Sequence, residues 1–221
     1  MSRIPHSQSP EIAALLARAA VIPVLTVEEP ARAVSLARAL VAGGLAVLEI
    51  TLRTETALAA ARAIMAEVEG AVVGIGTVLT EAHMRASREA GARFAVSPGA
   101  TARLLEAAAE AGIPYLPGAA TASEIQALLE RGYTHLKFFP AESLGGVAAL
   151  KALSAPFRQV RFCPTGGIDA ATAKAYLALD CVAAVGGSWV APPERTAAGD
   201  WAAITRLARE AAALSRKVLV A

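Results

Sequence analysis

Short apolar runs alternate with longer amphipathic segments along the 221 residues of this chain, and this alternation restricts the fold more than any other feature. The apolar runs have the length of strands, and the segments between them carry apolar residues at every third or fourth position, as helices do. Strands that alternate with helices predict βα units and a parallel sheet. The eight strand candidates are Val21 to Thr26, Leu45 to Thr51, Val72 to Thr77, Phe94 to Ser97, Tyr115 to Pro117, His135 to Phe139, Val160 to Pro164 and Val182 to Gly186.

Glycines mark the ends of the predicted helices, where a residue often adopts the left-handed backbone conformation that glycine favours. They are Gly43, Gly44, Gly70, Gly91, Gly112 and Gly132. Residues 9 to 19 predict an extra helix before the first strand, and Trp201 to Leu214 predict the last outer helix. Because eight βα units in a chain of this length suit a closed barrel, we expect an α/β fold with a single (β/α)₈ TIM barrel. The domain would span residues 1 to 221, with its core over about residues 21 to 214.

The composition excludes several classes of protein. No apolar run reaches the roughly 20 residues of a membrane span, and polar residues follow the first six residues where a signal peptide would be apolar. We therefore expect a cytoplasmic protein. The net charge of +2 is spread without a basic run, so no nucleic-acid partner is indicated. Cys163 and Cys181 lack the spacing of a zinc site, and we expect both to be reduced, buried and inert.

Lys137 lies in the apolar run Leu136-Lys137-Phe138-Phe139 and is the only lysine within a predicted strand. Side chains alternate along a strand, so Lys137 shares a face with His135 and Phe139, which directs the ammonium into the barrel. Burial there favours the neutral amine, the form that attacks a carbonyl carbon. The alternative is a structural lysine whose charged end reaches solvent from the end of the strand.

Polar residues occupy every second position of the run from Val47 to Arg53. Strands of a parallel barrel are normally apolar on both faces, so Glu49, Thr51 and Arg53 predict a polar patch inside the barrel. A carboxylate there can move protons, and a guanidinium can hold a substrate carboxylate through two hydrogen bonds. The alternative is an ion pair between Glu49 and Arg53 that only neutralises itself.

The motif Gly74-Ile75-Gly76-Thr77 ends the third predicted strand. Thr77 follows Val73 and Ile75 in the series of every second residue, which we interpret as the inward-facing series. Its hydroxyl would then bond a substrate carboxylate or keto oxygen. A tight turn followed by a helix-capping threonine is the alternative.

Two double glycines follow the last two predicted strands, in Pro164-Thr165-Gly166-Gly167-Ile168 and Val185-Gly186-Gly187-Ser188-Trp189. Paired glycines let backbone N–H groups approach an anion, and a short helix after the eighth strand would direct its positive end to the same place. Loops after strands seven and eight are the usual phosphate site of this fold. The two loops predict a phosphate site, and the alternative is that these glycines only serve turns of positive φ.

Seven motifs together resemble one family, in the same order and nearly without gaps. They are Glu49-Ile-Thr-Leu-Arg53, Gly74-Ile-Gly-Thr77, Ser97-Pro98-Gly99, Pro117-Gly118, Lys137-Phe-Phe-Pro-Ala-Glu142, Cys163-Pro-Thr-Gly-Gly167 and Gly186-Gly-Ser-Trp189. From about Val21 to Leu214 the sequence resembles the 2-keto-3-deoxy-6-phosphogluconate (KDPG) aldolases, also called 4-hydroxy-2-oxoglutarate (KHG) aldolases.

The resemblance implies a role for each candidate residue, with Lys137 as the Schiff-base lysine and Glu49 as the proton shuttle. The implied substrate ligands are Arg53 and Thr77 for the carboxylate of the pyruvate half, Pro98 and Phe139 for its pocket, Thr165 for the sugar chain, and Gly166, Gly167 and Ser188 for the phosphate. The resemblance also implies a homotrimer that needs neither a metal nor an organic cofactor.

The implied reaction is the cleavage of KDPG to pyruvate and glyceraldehyde 3-phosphate, with activity on KHG as well. Three alternatives stay open from the sequence. A related aldolase, either for the galactonate epimer or mainly for unphosphorylated KHG, would share the lysine and the glutamate and differ in its contacts with the polyol. A barrel isomerase that binds a phosphoribosyl group would leave Lys137 without a role. A non-catalytic phosphate-binding protein would form no imine with pyruvate.

Overall fold

A computed structural model describes residues 10 to 214. The strands are β1 Val21–Leu25, β2 Val47–Thr51, β3 Val72–Gly76, β4 Phe94–Val96, β5 Tyr115–Leu116, β6 Gly118–Ala119, β7 His135–Phe138, β8 Arg161–Pro164 and β9 Val185–Gly187. The helices are α1 Pro10–Ala17, α2 Pro30–Ala42, α3 Ala57–Glu67, α4 Glu81–Glu89, α5 Ala102–Ala111, α6 Ala122–Glu130, α7 Gly146–Ser154, α8 Ala170–Leu177, α9 Pro193–Ala198 and α10 Trp201–Ala212. A short 3₁₀ helix, Glu142–Leu144, precedes α7. Between residues 10 and 214, no helix combines the length and the apolar composition that crossing a membrane requires.

The strands pair in parallel, as the alternation of strands and helices predicts. Six of them form one sheet in the order β5, β4, β3, β2, β1 and β9, and β6, β7 and β8 form a second sheet. All of the glycines predicted to end helices take positive φ angles except Gly43. Gly43 meets α10 instead, because a Cβ there would lie 2.8 Å from the carbonyl oxygen of Thr205. The α/β class and its curled parallel sheet are confirmed.

Buried apolar side chains form two clusters on opposite faces of the strands. The larger cluster packs the strands against the helices and includes Leu48 of β2 and Ile64 of α3. The smaller cluster lies on the other face, because its member Val47 precedes Leu48 and side chains alternate. Its buried residues are Ile12, Leu16, Ala19, Ile22, Val47, Phe94, Val96, Leu116, Cys163 and Ala184.

Helix α1 lies within the predicted range of residues 9 to 19, of which residue 9 falls outside the described residues. It places Ile12 and Leu16 against the smaller cluster. Val47 and Phe94 in that cluster are the first residues of their strands, so α1 covers the amino ends of the strands. The carboxyl ends are left for a site, as is usual in folds of parallel strands and helices.

The fifth predicted strand, Tyr115 to Pro117, is interrupted in the structure. β5 pairs with β4, whereas β6 pairs with β7, and Pro117 stands between them. Proline has no N–H to donate to a ladder, so pairing changes partner there. Its carbonyl still accepts a hydrogen bond of 2.8 Å from the N–H of Lys137. The eighth strand also differs, since its ladder begins at Val185 rather than at Val182.

Replacing Ile12 by Ala should lower the free energy of unfolding by about 2–5 kcal/mol, because it leaves a cavity at the junction of α1 and the strands. Urea denaturation followed by circular dichroism measures the change. Ala14→Ser on the exposed side of the same helix is the control and should stay within about 0.5 kcal/mol. Equal losses in the two variants would contradict the packing of α1 described here.

Candidate active site

Lys137 and Glu49 form a buried ion pair between strands β7 and β2. The Nζ atom donates to Oε1 of Glu49 at 3.0 Å, and the residues are only 5% and 4% exposed. Glu49 pairs in register with Gly74 of β3, and Lys137 pairs with Cys163 of β8. Since the lysine is buried, the alternative of a charged end reaching solvent is wrong. Since Glu49 meets Lys137, the alternative of an ion pair between Glu49 and Arg53 is also wrong.

The predicted polar patch of Glu49, Thr51 and Arg53 is divided in the structure. Thr51 is fully buried and donates its hydroxyl to the carbonyl of Leu25 at 3.0 Å, so it joins β2 to β1 rather than facing a ligand. Arg53 lies in the turn after β2 and is exposed. Its guanidinium makes no hydrogen bond or ion pair with any residue between 10 and 214, so it is available to an anion.

A cavity of about 560 Å³ opens above the buried pair. It brings together six of the predicted site residues, namely Arg53, Phe139, Thr165, Gly166, Gly167 and Ser188. Lys137 and Glu49 are not part of its wall. Phe139 connects the two regions, because its ring lines the cavity and its centroid lies 5.4 Å from the lysine Nζ.

The loop after β8 presents backbone of left-handed conformation to this cavity. Gly166 and Gly167 have φ angles of 105° and 76°, which only glycine adopts without strain. The loop is held by the N–H of Glu142, which donates to the carbonyl of Gly166 at 3.0 Å. Glu142 is fixed in turn by the hydroxyl of Tyr176, which donates to its Oε1 at 2.5 Å.

The glycines of the loop after β9 serve a different purpose. Gly186 and Gly187 do not have positive φ angles, so the alternative of turn glycines fails for this pair. A Cβ on Gly186 would lie 3.2 Å from Cβ of Thr165, and one on Gly187 would overlap the ring of Trp189. The absent side chains therefore make room for these neighbours. The predicted helix comes later than expected, because a turn from Ser188 to Ala191 precedes α9.

Thr77 and Pro98 do not line the cavity. The inward-facing series predicted for β3 is wrong, because Val73 and Ile75 pack against the helices while Gly74 and Gly76 face the interior. Thr77 instead follows the strand with a φ of 58°, a strained conformation for a β-branched residue. Such strain costs on the order of 1–3 kcal/mol and clusters at functional sites. Pro98 follows β4 and is half-buried.

The sequence did not indicate the outer wall of the cavity, which comes from the β1–α2 loop, α2 and α9. Glu28, Glu29 and Arg32 line it beside apolar residues such as Leu36. Arg32 donates to Oε2 of Glu29 at 2.7 Å and to the carbonyl of Thr196 at 3.1 Å, so it ties α2 to α9. The available signal was the position of Glu28 and Glu29 just beyond the carboxyl end of β1.

The two cysteines differ in their surroundings. Cys163 is buried beside the ion pair, and burial, followed by the nearby charge of Glu49, raises the pKa of its thiol to about 12. Cys181 is only half-buried, so the expectation that both are buried is wrong for this residue. Between residues 10 and 214 there is no cluster of three or more His, Cys, Asp or Glu side chains that could hold a metal ion.

Iodoacetamide at pH 8 should alkylate Cys181 in the native protein and leave Cys163 unmodified. With a pKa of about 12, only about one Cys163 thiol in 10⁴ is ionised at this pH, and its burial excludes the reagent. Mass spectrometry of tryptic peptides measures both sites, and denatured protein, in which both should react, is the control. Equal rates at the two cysteines in the native protein would contradict this description.

Comparison with known proteins places this geometry in a family. Residues 12–207 match the family described as KDPG and KHG aldolase. The KHG/KDPG aldolase of Escherichia coli K12 is 53% identical over 197 residues, which are 89% of this chain and 92% of the relative. The crystal structure of the KDPG aldolase of Zymomonas mobilis ZM4 with 3-phosphoglycerate has a TM-score of 0.90 at 49% identity, covering 94% of this chain and 98% of that one.

A second solved structure is similar over the same part of the chain. It is the KDPG aldolase of Legionella pneumophila with pyruvate captured at low pH as a covalent carbinolamine intermediate, at a TM-score of 0.88 and 45% identity. It covers 91% of this chain and 98% of that one. The strands that carry Glu49 and Lys137 and the loops that follow β8 and β9 all lie within residues 12–207. This chain belongs to the KDPG and KHG aldolase family.

Proposed function

We propose that this chain is an aldehyde-lyase that cleaves KDPG to pyruvate and glyceraldehyde 3-phosphate through a Schiff base on Lys137, and that it also acts on KHG. The observation that carries the proposal is the buried contact of Lys137 with Glu49 beneath a cavity open at the carboxyl ends of the strands. The barrel isomerase and the non-catalytic binding protein leave this pair without a role. The carbinolamine of pyruvate in the Legionella pneumophila relative supports the same covalent chemistry.

The reaction begins when Glu49 takes a proton from the ammonium of Lys137 and the neutral amine attacks the 2-keto carbon of the substrate. Glu49 returns this proton to the hydroxyl of the carbinolamine, which leaves as water and gives a protonated imine that accepts electrons from the neighbouring carbon. Glu49 then removes the proton of the carbon-four hydroxyl, the bond between carbons three and four breaks, and its electrons form an enamine. Glyceraldehyde 3-phosphate leaves. Glu49 returns a proton to carbon three, and water hydrolyses the resulting protonated imine to pyruvate and the ammonium of Lys137, which restores the ion pair.

The pyruvate half of the substrate lies nearest to Lys137 in this proposal. Arg53 and Thr77 bind its carboxylate, and Pro98 and Phe139 shape its pocket. The exposure of the Arg53 guanidinium on the cavity wall and its lack of a partner in the described part of the chain support its role. A guanidinium suits a carboxylate, because two parallel N–H groups match its two oxygens.

The phosphate half lies between the loops that follow β8 and β9. Gly166, Gly167 and Ser188 bind the phosphate, and Thr165 meets the hydroxyls of the sugar chain. All four residues line the same cavity as Arg53, which supports a substrate that spans it with one anionic group at each end. Backbone N–H groups in left-handed loops bind anions without bringing a side-chain charge.

The fold proposed with this function is a single domain in which the two sheets close into one (β/α)₈ barrel. Two isolated parallel bridges support closure, Phe162 with Val182 and Thr165 with Gly186, because they join β8 to the segment that contains β9. The chain itself connects the other edges, since β5 and β6 are separated by Pro117 alone. The ion pair between β2 and β7 crosses from one sheet to the other.

The family resemblance supports a homotrimer in the cytoplasm. Its partners in this proposal are small molecules, the phosphorylated keto acid and pyruvate, and neither nucleic acid nor a membrane takes part. None of the proposed steps uses a metal or an organic cofactor. The preference between the gluconate substrate and its galactonate epimer depends on contacts at carbon four, and the names of the relatives favour the gluconate.

Treatment with pyruvate and sodium borohydride should add one reduced pyruvyl group to Lys137. Lys137 is buried beneath the cavity in contact with Glu49, whereas Lys151 and Lys174 are exposed on helices. Intact-mass and peptide mass spectrometry locate the adduct, and Lys137→Met is the control that should remain unlabelled. Labelling of Lys151 or Lys174, or no labelling of the wild-type protein, would refute the Schiff-base assignment.

Ser188→Asp should lower kcat/KM for KDPG by about 10²-fold or more and should affect KHG much less. The new carboxylate repels the phosphate, and the lost phosphate contact also misplaces the reacting carbons, because remote binding energy orients them. KHG has no phosphate and serves as the internal control. Ser188→Ala, which adds no charge, should show a smaller loss. Equal losses on both substrates would mean that Ser188 supports the fold rather than the ligand.

A further inference from the structure

Gly76 is the last residue of β3 and faces the carboxyl group of Glu49 on the neighbouring strand. A Cβ built on Gly76 would lie 2.7 Å from both Cγ and Cδ of Glu49 and would overlap its Oε1. These separations are far shorter than the roughly 3.5–4.0 Å of an optimal carbon contact. The carboxyl group of Glu49 therefore rests against the bare Cα of Gly76.

Glu49 is confined by this contact. Its Oε1 accepts from Nζ of Lys137 at 3.0 Å, and its side chain is only 5% exposed. The backbone of Gly76 is fixed as well, because its carbonyl accepts from the N–H of Leu52 at 2.9 Å. A methyl group at position 76 could be accommodated only if the carboxyl group of Glu49 moved.

The backbone of Gly76 does not itself require glycine. Its φ is not among the positive values of the chain, so alanine can adopt the same conformation without strain. The absence of a side chain at this position is therefore explained by Glu49 and by no property of the turn that follows. The substitution Gly76→Ala therefore tests the effect of displacing the carboxylate of Glu49.

We propose that Gly76 is a positioning residue for the aldolase reaction, which holds the carboxylate of Glu49 in line with Lys137 by leaving its own Cβ position empty. The proposal rests on the proposed function, in which Glu49 moves the protons. Gly76 acts through Glu49 and is assigned no contact with the substrate. A proton carrier has to lie within hydrogen-bond reach of its target, so a small displacement of the carboxylate slows proton transfer more than it slows imine formation.

Gly74 provides a matched control on the same face of the same strand. A Cβ on Gly74 would lie 2.5 Å from Cδ2 of Phe94, an apolar ring of the smaller cluster. Gly74→Ala therefore introduces the same methyl group two residues earlier and displaces a packing residue instead of Glu49. Its effect should not depend on the residue at position 49.

The test compares Gly76→Ala with Gly74→Ala, each made in the wild-type protein and in Glu49→Ala. Gly76→Ala should slow KDPG cleavage and the exchange of pyruvate methyl protons by about 10²-fold, while borohydride still traps pyruvate on Lys137. In Glu49→Ala the clash is gone, and adding Gly76→Ala should change the residual exchange rate by less than about twofold. Gly74→Ala should have the same effect in both backgrounds.

Near-normal proton exchange in Gly76→Ala would overturn the proposal, and so would a loss that persists undiminished in Glu49→Ala. If Gly76→Ala alone does not fold, the double variant with Glu49→Ala must regain the folded state, because the three atoms nearest to the added methyl group all belong to Glu49. A double variant that stays unfolded overturns the proposal too. Failure of the proposed function is distinguished by the wild-type protein, which would then form no borohydride adduct with pyruvate.

Discussion

The buried contact between Lys137 and Glu49 is the constraint on which the other parts of the site depend. Two charges removed from water are unfavourable unless each has a partner, and such pairs add little net stability. Their presence in the interior of an otherwise apolar fold is therefore better explained by chemistry than by folding. It requires β2 and β7 to face one another and Gly76 to lack a side chain, and the apolar ring of Phe139 links the pair to the open cavity.

The two proposed anion sites of the cavity use different binding groups. The guanidinium of Arg53 stands where a carboxylate is proposed to bind, whereas Gly166 and Gly167 offer only backbone. Arg32 lines the outer wall, but its guanidinium is already engaged by Glu29 and by the carbonyl of Thr196. A dianionic group in the proposed phosphate site would thus be held mainly by N–H dipoles. Such a site recognises the shape and the hydrogen-bond acceptors of the anion as well as its charge.

Much of the fold could be predicted from the sequence, because strands and helices have different apolar periods. The charged residues of the site could be found as well, since Lys137 interrupts an apolar run and Glu49 begins a series of polar residues at every second position. The face of β3 that points to the interior could not be predicted correctly. Both faces of a parallel strand are buried, so hydrophobicity does not tell which face is inward. On β3 the aliphatic Val73 and Ile75 meet the helices, whereas Val72, Gly74 and Gly76 face the interior. The partner of Glu49 could not be predicted either, because β2 and β7 are far apart in the sequence.

Helix α1 has a kinetic consequence. Ile12 and Leu16 pack against the amino ends of the strands, whereas the cavity opens at their carboxyl ends. In the proposed reaction the substrate enters through this cavity, the pyruvate half is attached to the lysine beneath it, and the phosphorylated half lies between the lysine and solvent. When both products leave through this cavity, the product nearer to solvent leaves first. Glyceraldehyde 3-phosphate is then the first product released and pyruvate the second, and the same passage makes the order of addition in the condensing direction the reverse.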